Sequence, residues 1–474
     1  PFFYHVSASQ LLFCSEVRGL LASGMMDGKL DESQLDEFFK YQAAQHDHTL
    51  VKGIRRLPAG HYLLLKDGQL TMEQYWGYHH LRPSADDLAQ ARRQVKDLFM
   101  DSIRLRMVSD VPVGAFLSGG IDSSLVVACM AEQSTSPVHT FTISFDEKQY
   151  DESTYAKVIA DRYRTDHHLI RVRPESFLES LDDILASMDI PSGDGPNTFL
   201  VSKFTREAGV KVALSGLGGD ELFAGYNKFI MYYKLMSWAW VQNIPVSLRG
   251  NLLRALSARM KNHRLEKLAE LSSLPNWNIS TVYPVLRQSY SDQDLRSLLN
   301  LPVPVDGVKA HLAATTKDLA WMGRLSQCTV GEMETYTRDV LLRDTDQMSM
   351  AHALEVRAPF FDYRLIEYVL SLPDEIKYPH QPKQLLVDAL APRLPLEITS
   401  RKKMGFTLPI DQWLRKELAQ LTSEKLQYLA GRKEFNGQYI MDTWKHFREG
   451  DPRVLWSRIW KLIVVSDWLQ RNNL

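Results

Sequence analysis

Residues 118–124 read Ser-Gly-Gly-Ile-Asp-Ser-Ser, and residues 215–221 read Ser-Gly-Leu-Gly-Gly-Asp-Glu. Each stretch directly follows a short apolar run. Glycine lets a backbone turn tightly and come close to a ligand. The N–H groups that open a following helix attract anions. Ser118, Ser123 and Ser124 add hydroxyl donors. Such a loop suits phosphate oxygens, yet it contains no lysine, and the common nucleotide loop G-x-x-x-x-G-K-[ST] is absent from the chain. Asp122 and Asp220 would repel phosphate unless a cation lay between. Mg²⁺ takes oxygen ligands and joins carboxylates to substrate phosphates, so it resolves the conflict. The plain structural alternative is a pair of glycine-rich turns in which aspartate caps a helix. Either turn alone leaves both readings open; two at the ends of strands of one sheet favour a ligand site.

Two further stretches are charged. Residues 341–365 place Arg343, Asp344, Asp346, Glu355, Arg357 and Asp362 among residues otherwise fit for burial. They are either internal salt bridges or a wall for a charged substrate, and Arg357 could clamp a carboxylate with two parallel hydrogen bonds. In 400–410, "SRKKMGFTLPI", Arg401, Lys402 and Lys403 precede a helix expected near Asp411. This is either a solvated basic loop or an arm that brings positive charge to phosphate as charge develops there.

These residues need a frame. "VPVGAFL", "VHTFTISF", "DHHLIRV" and "VKVALSG" read as short buried strands. "DSSLVVACMAEQ", "DESTYAKVIADRY", "PESFLESLDDILASM" and "DELFAGYNKFIMYYKLM" read as the helices between and after them. That alternation predicts βαβ units and a parallel sheet, whose ligands sit at the carboxyl ends of the strands. "LAQARRQVKDLFMDSIRLRM" is an amphipathic helix before the first strand, and beyond residue 230 the pattern is helical almost to Leu474. Residues 1 to 77 carry alternating runs punctuated by Gly53, Pro58-Ala59-Gly60 and Asp67-Gly68, a mainly strand segment.

The bulk numbers narrow the class. A length of 474 residues suggests more than one domain. A net charge of -1 gives no field for nucleic acid or an anionic membrane. "MYYKLMSWAWVQ" is broken by Lys234 and reads as a buried helix rather than a membrane span. Cys14, Cys129 and Cys328 are too scattered for a disulfide framework and suit a reducing, cytoplasmic setting. The first residue is Pro1, within an apparent strand, so a truncated N-terminus is expected.

In order along the chain, "FLSGGIDSS", "ALSGLGGDELFAGY", "MSMAHALEVRAPFFD" and "RKKMGF" resemble the glutamine-dependent asparagine synthetases. "PFFYHVSASQLLFCSEVRGLL" and "IRRLPAGHYL" resemble the tail of that family's N-terminal glutaminase domain. The resemblance covers essentially the whole chain. It implies an α/β fold: a parallel-sheet pyrophosphatase-loop synthetase domain of the adenine nucleotide α-hydrolase type, with a helical C-terminal extension. The end of a mainly β N-terminal-nucleophile glutaminase domain precedes it. The implied divisions are 1–78 for the glutaminase remnant, 79–90 for a linker and 91–474 for the synthetase domain.

The implied reaction is amidation of aspartate through aspartyl-AMP, with release of AMP and pyrophosphate and with ammonia drawn from glutamine. By the same resemblance Ser118, Gly119, Gly120, Asp122 and Ser123 grip pyrophosphate, and Asp122 and Asp220 bind Mg²⁺. Leu117, Ile143, Ser215 and Gly216 line the AMP site. Lys403 stabilises the departing pyrophosphate, and Glu355 and Arg357 sit near the acyl-adenylate. Two departures stand out. The glutaminase's nucleophilic cysteine is not in this sequence, and Leu217 stands where characterised members carry a carboxylate after "LSG". Leu217 keeps a second reading open: the same mechanism on another carboxylate, in a polysaccharide or secondary-metabolite pathway. A catalytically silent scaffold is argued against by the intact loop, both aspartates and Lys403. The expected partners are small molecules, not nucleic acid or membrane, with room for a homodimer.

Overall fold

The computed structural model describes residues 1–147, 149–246, 263–302, 306–378, 380–401 and 408–474. Five strands form one all-parallel sheet: β6 (Val113–Phe116), β7 (His139–Phe145), β8 (Asp166–Val172), β9 (Val212–Leu214) and β10 (Glu355–Arg357). Their order across the sheet is β10-β9-β6-β7-β8. The sheet's first strand in chain order, β6, therefore lies between its second, β7, and its fourth, β9. The connections leave it in opposite directions, and the crevice between the carboxyl ends of β6 and β9 is where such sheets bind ligands. Helices cover both faces. Phe141, Ile143 and Phe145 enter a core with the Pro174–Ser187, Pro196–Glu207 and Trp456–Asn472 helices. Ala115, Leu117 and Leu214 enter a second core with the Leu88–Arg106, Ile121–Gln133 and Ser153–Tyr163 helices. Each large apolar side chain buried this way contributes about 1.5–3 kcal/mol of transfer free energy. The observed molecule is thus α/β with a parallel sheet and a helical C-terminal part, as the sequence implies.

Three details differ from the sequence pattern. First, "DELFAGYNKFIMYYKLM" is two helices, Gly219–Leu222 and Asn227–Ser237. Ala224 has φ 55° between them, a left-handed conformation that ends a helical run. Second, "MYYKLMSWAWVQ" is not a buried helix: the helix stops at Ser237, and Trp238 and Trp240 are 63% and 66% exposed. Third, β10 was hidden. Its three residues, Glu-Val-Arg, carry too few apolar side chains to show a strand period, and backbone pairing to β9 alone creates it.

In the N-terminal part, β1 (Phe3–Val6), β2 (Leu11–Cys14) and β3 (Arg55–Arg56) form an antiparallel sheet. β4 (His61–Lys66) and β5 (Gln69–Gln74) form a hairpin turned by Asp67 and Gly68, both at positive φ, as a two-residue hairpin requires. The Leu35–Tyr41 helix, absent from the strand-rich reading, is buried along its whole length. Its Leu35, Phe38 and Phe39 share a core with Trp460 and Ile463 of the C-terminal helix. Among the described residues no helix is long and apolar enough to cross a membrane.

Candidate active site

The turn after β6 and the turn after β9 meet backbone to backbone. A Cβ added at Gly216 would lie 2.6 Å from the amide nitrogen of Ser123. A Cβ at Gly119, whose φ is +72°, would lie 2.5 Å from the amide nitrogen of Ala156. Both glycines are needed for approach, and Gly119 also for its left-handed backbone. Inside the first turn the Ser118 and Ser123 hydroxyls are 3.0 Å apart, and the Gly120 N–H donates to Ser118 Oγ at 3.3 Å. Gly120 opens the Ile121–Gln133 helix and gives no side-chain cap, which leaves first-turn N–H donors for another acceptor. Gly216→Ala should force the two turns apart, costing about 1–3 kcal/mol by over-packing, and, on the sequence-based expectation of a nucleotide site here, should weaken nucleotide binding. Unchanged nucleotide affinity by calorimetry would contradict this close-contact role.

The two aspartates do converge, and a lysine joins them. Lys383 Nζ lies 2.5 Å from Asp122 Oδ2 and 2.5 Å from Asp220 Oδ1. Its backbone sits at φ 59°, the left-handed region that non-glycine residues reach at a cost. Its N–H donates to Phe223 O at 3.0 Å, which ties that conformation to the break between the two helices. Gly225 makes room, since a Cβ there would meet Lys383 Cε at 2.3 Å and Asp220 Oδ1 at 1.9 Å. Burial opposes the lysine's charge, but the Asp122 and Asp220 carboxylates outweigh it and raise its pKa. Two converging carboxylates could supply part of a magnesium ion's octahedral oxygen set, with substrate phosphates and waters as the rest. The loop that contains no lysine of its own thus has an ammonium beside Asp122 from residue 383.

A cavity of about 660 Å³ opens here. Leu117, Ser118, Gly120, Asp122, Ser123, Ile143, Ser215, Gly216 and Asp220 all line it. Gly119 lies in the same turn, and its carbonyl accepts from Arg401 Nη1 at 3.3 Å. Arg401 also pairs with Glu152 and lies over the Tyr155 ring, so one cation of the basic loop stands at the phosphate turn. Lys403 lies outside the described residues. Glu355 and Arg357 are not brought to the cavity. Arg357 Nε donates to Glu355 Oε1 at 2.7 Å, and its Nη1 donates to the carbonyls of Arg106 and Val108 at 2.8 Å each. There it closes the carboxyl end of the Leu88–Arg106 helix. The charged stretch therefore divides. Asp344 lines the cavity, while Asp362 pairs with Arg364 at 2.9 Å and Arg106 at 3.2 Å.

The rest of the lining escaped sequence reasoning. Tyr226 donates to Glu221 Oε1 at 2.5 Å, and Tyr336 donates to Asp194 Oδ2 at 3.3 Å. Burial, reinforced by Asp220, pushes Glu221 up to about 7. Burial likewise pushes Asp344 up to about 7, against the pull of Arg343. Two cavity acids that titrate near neutrality can exchange protons with a reacting amine. The cavity thus brings together cations and near-neutral acids, a combination that can stabilise developing anionic charge and move a proton.

Residues 94–470 match the family model described as asparagine synthase, and residues 1–76 match that of a glutamine amidotransferase domain. The chain is 26% identical over 476 residues to asparagine synthetase [glutamine-hydrolyzing] 1 of Bacillus subtilis, covering 100% of this chain and 74% of the relative. It is 34% identical over 256 residues to a putative asparagine synthetase [glutamine-hydrolyzing] 2 of Methanocaldococcus jannaschii, covering 52% of this chain and 48% of that protein. A Penicillium rubens protein named amidase chyE is 26% identical over 511 residues, covering 95% of this chain and 72% of its own.

Proposed function

The chain belongs to the asparagine synthase family of glutamine-dependent amide-forming ligases, and on that premise we propose that it amidates aspartate to asparagine through aspartyl-AMP. The observation that carries this reading is the meeting of two glycine-serine turns, with Asp122 and Asp220 sharing Lys383, at the switch point of the sheet. Ser118, Gly119, Gly120 and Ser123 hold the β- and γ-phosphates of ATP through hydroxyl and N–H donors, and Leu117, Ile143, Ser215 and Gly216 seat the AMP portion. Asp122 and Asp220 would hold Mg²⁺, which neutralises polyphosphate charge when bound. The substrate carboxylate attacks the α-phosphorus. Lys383, Arg401 and Lys403 compensate the charge that gathers on the leaving pyrophosphate. Ammonia then attacks the acyl carbon, AMP leaves, and a cavity acid near neutrality takes the surplus proton. In the adenylation step the contribution is orientation and electrostatics, as expected for phosphoryl chemistry, and proton transfer enters only at amide formation. Purified protein given Mg-ATP, ammonium and aspartate should release equal amounts of AMP and asparagine. Failure to consume ATP with any carboxylate would remove the ligase reading.

One observation favours a second reading within the same mechanism. Leu217 lines the cavity directly after Ser215 and Gly216, where the resemblance leads one to expect a carboxylate. An apolar side chain there cannot orient ammonia or take a proton from the ammonium formed as it adds, and it presents an apolar wall to a less polar acid. In this reading the acceptor is another carboxylate, and AMP is released only with that acid. Leu217→Glu separates the two: if aspartate is the substrate, a restored carboxylate should raise asparagine formation by up to about 10²-fold. If another acid is the substrate, Leu217→Glu should lower turnover of that acid and leave aspartate inert.

A further inference from the structure

At the opposite end of the same sheet, the structure assigns a second cation site that the ligase reaction does not use. We propose that His139, Asp166 and His168 bind a divalent transition-metal ion of the zinc type. His139 opens β7, Asp166 opens β8, and the two are paired across the strands. His168 follows Asp166 by two residues, so it points to the same face. His139 Nδ1 lies 2.8 Å and His168 Nε2 3.4 Å from the same oxygen, Asp166 Oδ2. The three ligand atoms all lie within 4.8 Å of one another.

Of the two distances, 2.8 Å is that of a hydrogen bond and would lengthen when an ion binds, while 3.4 Å already matches the spacing of two ligands. At 3.4 Å the second imidazole makes at best a weak hydrogen bond to that oxygen. Yet two ligands of one tetrahedral zinc, each bonded at about 2.0–2.1 Å, stand about 3.3–3.4 Å apart. The His168 ring is held in place by its neighbour. Phe141, 1% exposed, stacks on it with centroids 4.9 Å apart and planes at 11°. The side chains remain 39–51% exposed, which leaves a fourth position to water and lets an ion enter. Imidazole nitrogens select zinc-like ions over Mg²⁺ and Ca²⁺, which take oxygen. Bound there, the ion would tie the edge strand β8 to β7, whose Phe141 and Ile143 line the nucleotide cavity two and four residues further along.

The test uses the untagged full chain in magnesium-free buffer, with Zn²⁺ alone as titrant in equilibrium dialysis. Wild type should bind one more equivalent than His139→Gln/His168→Gln, and Asp166→Asn should weaken that extra site. The difference between proteins excludes zinc held by Asp122 and Asp220, which all three retain. Co²⁺ gives an independent readout, since wild type should show the absorption of a tetrahedral N/O site and the double variant should not. Equal zinc stoichiometry and affinity in wild type and the double variant would overturn the proposal. Should the double variant fail to fold by circular dichroism, the single Asp166→Asn comparison decides: unchanged zinc affinity there also overturns it.

Discussion

Asp122→Asn is expected to lower ATP turnover by about 10²–10³-fold, the loss typical of removing one group that stabilises charge in a transition state. The fold should survive. In the wild type two carboxylates share one ammonium, Lys383 at 2.5 Å from each, so the trio carries one excess negative charge. Asparagine keeps the shape, still accepts from Lys383 and removes the excess, so unfolding free energy should change by no more than about 1 kcal/mol. In the proposed mechanism the chemistry would suffer because the same excess charge would hold the Mg²⁺ that accompanies the polyphosphate. The measurement pairs pyrophosphate release with urea unfolding. Turnover close to wild type would sink the metal role of Asp122. A lost cooperative transition would show that the residue is structural instead.

How much of this was legible beforehand depends on whether the signal was local. The turns 118–124 and 215–221 announce themselves because glycine, serine and aspartate types are dictated by backbone geometry within a few residues, and their strands have an apolar run that survives as sequence. Lys383 gave no such signal. It is a lone lysine before an apolar helix, placed at Asp122 by a left-handed backbone and a hydrogen bond to Phe223, 261 residues away in the chain. Glu221 and Tyr226 sit in a quoted motif, yet their pairing needs the break at Ala224 that a helical pattern conceals. Glu355 and Arg357 show a different limit. Their charge beside apolar neighbours left internal pairing and a substrate wall both open, and strand pairing sets Arg357 on Glu355 and on the open carbonyls of a helix end. Charge type survives translation from sequence to structure; the direction of a side chain on a three-residue edge strand does not.

The N-terminal part is bound to the synthetase part by a buried charge, and its removal is the other large effect. Asp339 is fully buried on the Met333–Leu341 π-helix. It pairs with Arg56 of the N-terminal sheet, accepts from Arg338 Nε at 2.9 Å, and accepts from the His46 backbone N–H at 3.1 Å. Asp339→Ala leaves Arg56 buried without its carboxylate, which costs about 3–5 kcal/mol and lowers the melting temperature by about 10 °C. Burial opposes the carboxylate, but the Arg338 and Arg56 guanidiniums overcome it and hold its pKa well below the ordinary range. A depressed folded pKa means the stabilisation is complete above the unfolded value near 4 and fades only as pH falls further. The gap between wild type and variant should therefore be constant from about pH 8 to 5 and narrow below about pH 4. Tyr336, one turn earlier on that helix, lines the nucleotide cavity. The lesion thus reaches the site along one helix, and the KM for ATP should rise in the folded variant at neutral pH. A melting temperature within about 2 °C of wild type, with KM unchanged, would mean the ion pair neither fastens the two parts nor sets the helix.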